Sequence, residues 1–166
     1  MPRSTQRGSA ILEFALVAIP VIYLTISVIE LSLESWKFHS MAYAIEMAAR
    51  YACAHGRTCS KNGNTCTIKV KDVANAISAQ APVLDSSLLD ISLITNSATT
   101  TCNPLNTCFT NSTQFPSSSD NGVGLDIKIT ATYPMYNPLS ILWLGTSGSS
   151  GSYFTLGAST RQTILY

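Results

Sequence analysis

The sequence predicts an α+β fold: a long N-terminal transmembrane helix continuing into a small extracytoplasmic domain with an antiparallel sheet and disulfide-bonded loops. Three observations predict it. From Ala10 to Leu33 the chain is apolar apart from Glu13, Glu30 and a few Ser and Thr. The stretch 123–133, VGLDIKITATY, alternates strictly, with Val123, Leu125, Ile127, Ile129, Ala131 and Tyr133 on one side. That period of two marks a half-buried strand. The five cysteines, Cys53, Cys59, Cys66, Cys102 and Cys108, all follow the apolar segment, as in a domain that meets an oxidising compartment.

The first element is the membrane segment. Charged residues make up 11% of the chain, against about 25% in ordinary soluble domains, and Phe14 to Ile29 has none. The 24 residues from Ala10 to Leu33 span about 36 Å as a helix, enough for a hydrocarbon core of about 30 Å with some tilt. The charge-free part alone reaches about 24 Å, so the span works best with Glu13 and Glu30 near the two interfaces. Pro20 is tolerated in a membrane helix and predicts a bend. Arg3 and Arg7 precede the segment, which places the N-terminus in the cytoplasm and the bulk of the chain outside it.

The helical pattern then continues to about residue 55. Met41, Ala44, Ile45, Ala48 and Ala52 share one face, and His39, Tyr43, Glu46 and Arg50 another. Glu46 and Arg50 form a favourable i,i+4 pair, and Gly56 is a C-terminal stop. The resulting division is 1–8 leader, 9–34 transmembrane helix, 35–55 extracytoplasmic continuation and 56–166 α+β domain.

Beyond Gly56 the elements are short. TIKV at 67–70 is a strand candidate. DVANAISAQA at 72–81 is a short helix with Asp72 as cap, ending before Pro82. LLDISLIT at 88–95 is a strand, and 96–122, rich in Thr, Ser, Asn and Pro, is loop. LSILWL after Asn137-Pro138 is a short helix carrying Trp143, either core or contact surface. GTSGSSGS is linker-like, and 153–166 is the last strand. Five cysteines allow fifteen ways to form two bridges, so spacing leaves connectivity open. The pairs that close short loops, Cys59–Cys66 and Cys102–Cys108, are the expected crosslinks, with Cys53 as the odd thiol.

Arg7-Gly8-Ser9-Ala10-Ile11-Leu12-Glu13-Phe14 resembles the processing site of type IV prepilins. It is closest to that of the TadE-like pseudopilins of tight-adherence (Tad/Flp) pilus systems. The match runs from residue 7 to about 55, and Thr160-Arg161-Gln162 weakly resembles the family's C-terminal end. The resemblance does not extend to the cysteine loops between. The resemblance implies cleavage after Gly8 by a prepilin peptidase, leaving Ser9 as the mature N-terminus. It makes Glu13 and Phe14 assembly residues and implies pairing of Glu13 with the freed amine of this or a neighbouring subunit. The partners implied are other pilin or pseudopilin subunits, an inner-membrane assembly platform and the lipid bilayer. Independently, a carboxylate inside a membrane helix costs about 2.5–3.5 kcal/mol and calls for a partner. Alternatively, Glu13 sits at the interface, favoured by the positive end of the helix.

Other classes draw less support. A net charge of +1 gives no general case for nucleic-acid binding. Without Arg3 and Arg7, eight basic and nine acidic side chains remain. Cys53, His55 and His39 lack a recognised ligand spacing, so no metal or other cofactor is expected. Glu30 and Glu34 share a helix face, where solvation at a membrane interface is the ordinary state of such a pair. No G-x-S-x-G elbow or phosphate-binding glycine loop occurs, and no catalysis is expected. The expected role is a minor pilin or pseudopilin in the bacterial inner membrane. A signal-anchored adhesin or binding module, uncleaved at Gly8, is the alternative, and a tethered hydrolase the third.

Overall fold

A computed structural model describes residues 6–59, 66–136 and 153–165. The leading element is one helix, α1, Gln6–Ala54. Its last four turns carry the core face. Met41, Ala44, Ile45, Ala48 and Ala52 are buried as their spacing predicts, joined by Ala49. Alanine serves here because its small side chain lets the helix approach a sheet closely while remaining the best helix former. The Glu46 carboxylate meets the Arg50 guanidinium one turn on.

Helix α2, Val70–Gln80, starts earlier than its sequence suggests. Asp72 is not the cap: it sits in the first turn, and its Oδ2 accepts from the backbone N–H of Lys69 at 2.9 Å. This carboxylate reaches back to an orphan N–H, as the acid of a capping box does. TIKV forms no strand. It leaves one bridge, Lys69 to Gln114, because Val70 is already helical and joins Val73, Ala74 and Ile77 on the buried stripe. That spacing suits a helix, not a strand.

The sheet has strands β1, Asp90–Ile94, β2, Thr99–Cys102, β3, Asp126–Tyr136, and β4, Tyr153–Thr163. Their spatial order is β2-β1-β3-β4, with every pairing antiparallel. Strand β2 lies inside the segment expected to be loop. Its TTTC sequence lacks alternation, and pairing with β1 creates it, Cys102 facing Ile91 and Thr100 facing Leu93. The rest of that segment includes a short 3-10 helix, Leu105–Cys108. Bridges Cys59–Cys66 and Cys102–Cys108 are both formed, with Cα separations of 5.3 and 5.6 Å.

Strand β3 is shorter at its start than the alternation suggests. Val123 is exposed, because the chain turns at Gly124, whose φ of +85° favours glycine. The Gly124 N–H then donates to the Ile164 carbonyl at 2.9 Å. Ile127, Ile129, Ala131, Tyr133 and Met135 all face the core. Pro134 is accommodated because pairing with β1 stops at Thr132, so no bond to β1 is lost there. Helix α1 packs across β3 and β4 and beside α2. The expected helix LSILWL, with Trp143, lies outside the described residues.

Candidate functional site

The feature that sets this molecule apart is the first half of α1. Between Ile11 and Leu33, fourteen large apolar side chains are exposed. Phe14 is 74% and Leu31 67% exposed, whereas Ala44 and Ala49 are fully buried. The helix is apolar all round here, and such helices are either buried or in lipid. By length and composition it could cross a membrane, and none of its apolar window is buried against the rest of the protein.

Its polar groups are arranged to suit an apolar surround. The hydroxyls of Thr25, Ser27 and Ser32 donate to the carbonyls of Val21, Tyr23 and Val28 at 2.8, 2.9 and 2.7 Å, keeping these donors inside the helix. Pro20 lies within α1 and contributes no N–H to the ladder. Trp36, 59% exposed, follows the apolar stretch where a side chain with an apolar body and a polar tip suits a membrane interface.

The expected processing and assembly residues all lie on this helix. Gly8 and Ser9 have helical backbone, and Glu13 and Phe14 are exposed one turn further on. Glu13 is partnered in the structure. The disulfide cysteines lie at the other end of the molecule, bridging loops of the domain. Sequence and structure therefore separate two regions, an apolar rod and a crosslinked head.

Within the head, Cys53 is buried. Burial, and then the nearby Asp126 carboxylate, push its thiol up to about 11, so it stays protonated at neutral pH and is a poor nucleophile or metal ligand. His55 Nδ1 instead lies 2.7 Å from the Tyr51 carbonyl oxygen. Among the described residues no three His, Cys, Asp or Glu side chains gather as a metal would require. A recess of about 350 Å³ at one end of the sheet is lined by Asp126, Lys128 and Arg161 among others. There the Arg161 Nε donates to Asp126 at 2.9 Å and the Thr163 hydroxyl at 2.6 Å.

One polar cluster was not legible in the sequence. Asp120 is 4% exposed and accepts from the Thr95 hydroxyl at 2.5 Å, the Ser97 N–H at 3.2 Å and the Ser117 hydroxyl at 3.2 Å, and also from the Ser97 hydroxyl. It ties the β1–β2 turn to the loop before β3. The Ser97 and Thr95 hydroxyls hold its carboxyl below the ordinary value of 3.8. A lowered folded pKa means that its contribution is complete above the unfolded value and is lost as pH falls through the folded one. Melting temperature should therefore drop as pH is lowered below about 4. Asp120→Asn should be less stable at neutral pH and show a flatter acid limb in the same melts. Identical acid limbs for the two proteins would remove Asp120 from the account.

Compared with family models, with curated proteins and with solved structures, the chain shows no match.

Proposed function

We propose that this protein is a minor pilin or pseudopilin of a Tad or type IV-like pilus assembly or secretion system. It is held in the bacterial inner membrane by the first half of α1, with the crosslinked domain on the periplasmic side. There it helps initiate or modify a filament. The observation that carries this reading is the apolar rod of α1, standing clear of the core directly behind the Arg7-Gly8-Ser9 junction and bearing Glu13 near its start.

The physical logic is that of a subunit stored in lipid. A filament subunit must leave the bilayer, so its apolar helix must find an equivalent surround among neighbouring helices. A rod apolar on all sides can do both. Glu13 is the charged side chain nearest its start. A carboxylate at that depth is stabilised by a cation, and removal of the leader would put the Ser9 amine one turn away. The two disulfides and the cytoplasmic Arg3 and Arg7 support the same orientation.

The test is the native N-terminus. Intact-mass measurement on protein extracted from membranes of cells that contain a prepilin peptidase should show loss of the eight-residue leader, with Ser9 first. Full-length chain alone in those cells would defeat the pilin reading and leave a signal-anchored binding module.

A further inference from the structure

The sheet has a second face, turned away from α1. On it Lys128 of β3 stands directly opposite Arg161 of β4, and both are exposed. Opposed side chains on one face of an antiparallel pair have Cβ atoms about 4.5–5.5 Å apart, where like charges repel. Arg161 is relieved by Asp126: its Nε and Nη2 reach Asp126 Oδ2 at 2.9 and 2.7 Å, which leaves Nη1 for a second acceptor. Among the described residues Lys128 has no ion-pair partner. The recess of about 350 Å³ that these three line falls in the size range of small-ligand sites, about 300–1,000 Å³. The exposed Asn96 amide and the half-buried Ile94 and Leu125 complete its wall. At Gly124 an added Cβ would meet open space, so the mouth is clear there.

The recess lies at the far end of the head. Gln162 and Thr163, next to Arg161, meet Arg50, Cys53 and Ala54 at the end of α1. Ala54 is 21 residues beyond Leu33, about 31 Å of helix. On the membrane-spanning reading above, the recess therefore faces away from the bilayer. From it the outer face of the sheet continues in hydroxyls. Ser92, Thr130, Thr132, Thr155 and Ser159 share the face of Lys128 and Arg161 by strand alternation. Protein partners are gripped mainly through large apolar and aromatic anchors, and these five side chains offer hydroxyls instead.

We propose that the recess binds the carboxylate of a uronic acid unit, in an acidic polysaccharide that lies along this hydroxyl-bearing face. The Lys128 ammonium and Arg161 Nη1 would take the carboxylate through charge-assisted hydrogen bonds. Sugar hydroxyls would donate to the Asp126 carboxylate and accept from the Asn96 amide. Asp126 selects the ligand class. A single carboxylate with hydroxyls beside it suits two cations and one anion, whereas a phosphate dianion or a run of acidic residues brings further negative charge against Asp126. Ile94 and Leu125 offer an aliphatic wall to the C–H side of the ring. The inference goes beyond the assembly reading and is independent of cleavage at Gly8.

The experiment is calorimetric titration of the full chain, in neutral-detergent micelles at low salt, with tetramers of galacturonate and of mannuronate. At least one tetramer should bind, its methyl ester should bind about tenfold more weakly or worse, and binding should weaken as salt is raised. Lys128→Glu should abolish binding and leave the thermal melt unchanged, because the side chain is exposed. Lys128→Gln should weaken binding about tenfold and serves in its place if the glutamate variant melts lower. Lys128→Arg, which keeps the charge, should stay within about threefold. Binding by neither tetramer overturns the proposal, as does equal binding of the methyl ester or indifference to both Lys128→Glu and Lys128→Gln. Tetraglutamate binding as tightly as the better tetramer overturns it in favour of an acidic peptide. Inorganic phosphate binding as tightly overturns it in favour of a simple anion site.

Discussion

Removing residues 1–34 should release this protein from membranes completely and leave a folded, soluble domain. The fourteen exposed apolar side chains between Ile11 and Leu33 each favour insertion by about 0.3–0.6 kcal/mol near a helix centre, so together they supply roughly 4–8 kcal/mol. The core begins only at Met41, so the truncation takes nothing from it. The same arithmetic grades smaller changes. A single Val21→Arg costs about 2.5–3.5 kcal/mol and should leave most of the chain inserted. Val21→Arg with Leu24→Arg costs roughly twice that and should abolish insertion. Carbonate extraction reads partition, and circular dichroism with a thermal melt reads folding. A truncated chain that still sediments with membranes would show that the head, not the rod, binds lipid. A truncated chain that is unfolded would show that the rod contributes to the core.

Ile129→Ala should cost about 3–4 kcal/mol. Ile129 is fully buried at the middle of β3, between Leu93 of β1 and Thr160 of β4. Its side chain faces the layer filled by the alanine face of α1. An alanine there leaves a cavity that strands paired on both sides cannot collapse to fill. Domains of this size have roughly 5–15 kcal/mol in total, so the change removes a large share of what is available. Thr132→Ala on the same strand, exposed on the opposite face, should stay within about 0.5 kcal/mol. Urea unfolding of the two variants with disulfides intact checks the contrast. Equal losses would mean that the alanine face of α1 does not press on β3.

The apolar stretch, the long helix and the central strand were legible because each repeats one chemical signal along the chain. Twenty-four nearly uninterrupted apolar residues, an alanine face at helical spacing and a strict period-two alternation are local patterns. They point to the same elements whatever surrounds them. The bridges Cys59–Cys66 and Cys102–Cys108 were accessible for a related reason, since each closes a short loop. The failures lie where a pattern is short or polar. TIKV carries strand formers, yet Val70 is recruited by the helix after it. TTTC has no alternation of its own, and β1 supplies the ladder that makes it a strand.

By itself, then, the sequence determined that an apolar rod precedes a cysteine-containing head, and which face of the rod's second half is core. Tertiary structure alone decided the strand order β2-β1-β3-β4, the turn that exposes Val123, and the burial of Asp120 among hydroxyls from two distant segments. The physical reason is range. Periodicity and apolar length act between residues within a few turns of one another, and these can be read along the chain. Strand order and the satisfaction of a buried carboxylate depend on groups more than twenty residues apart, which meet only once the hydrophobic layer between α1 and the sheet has closed.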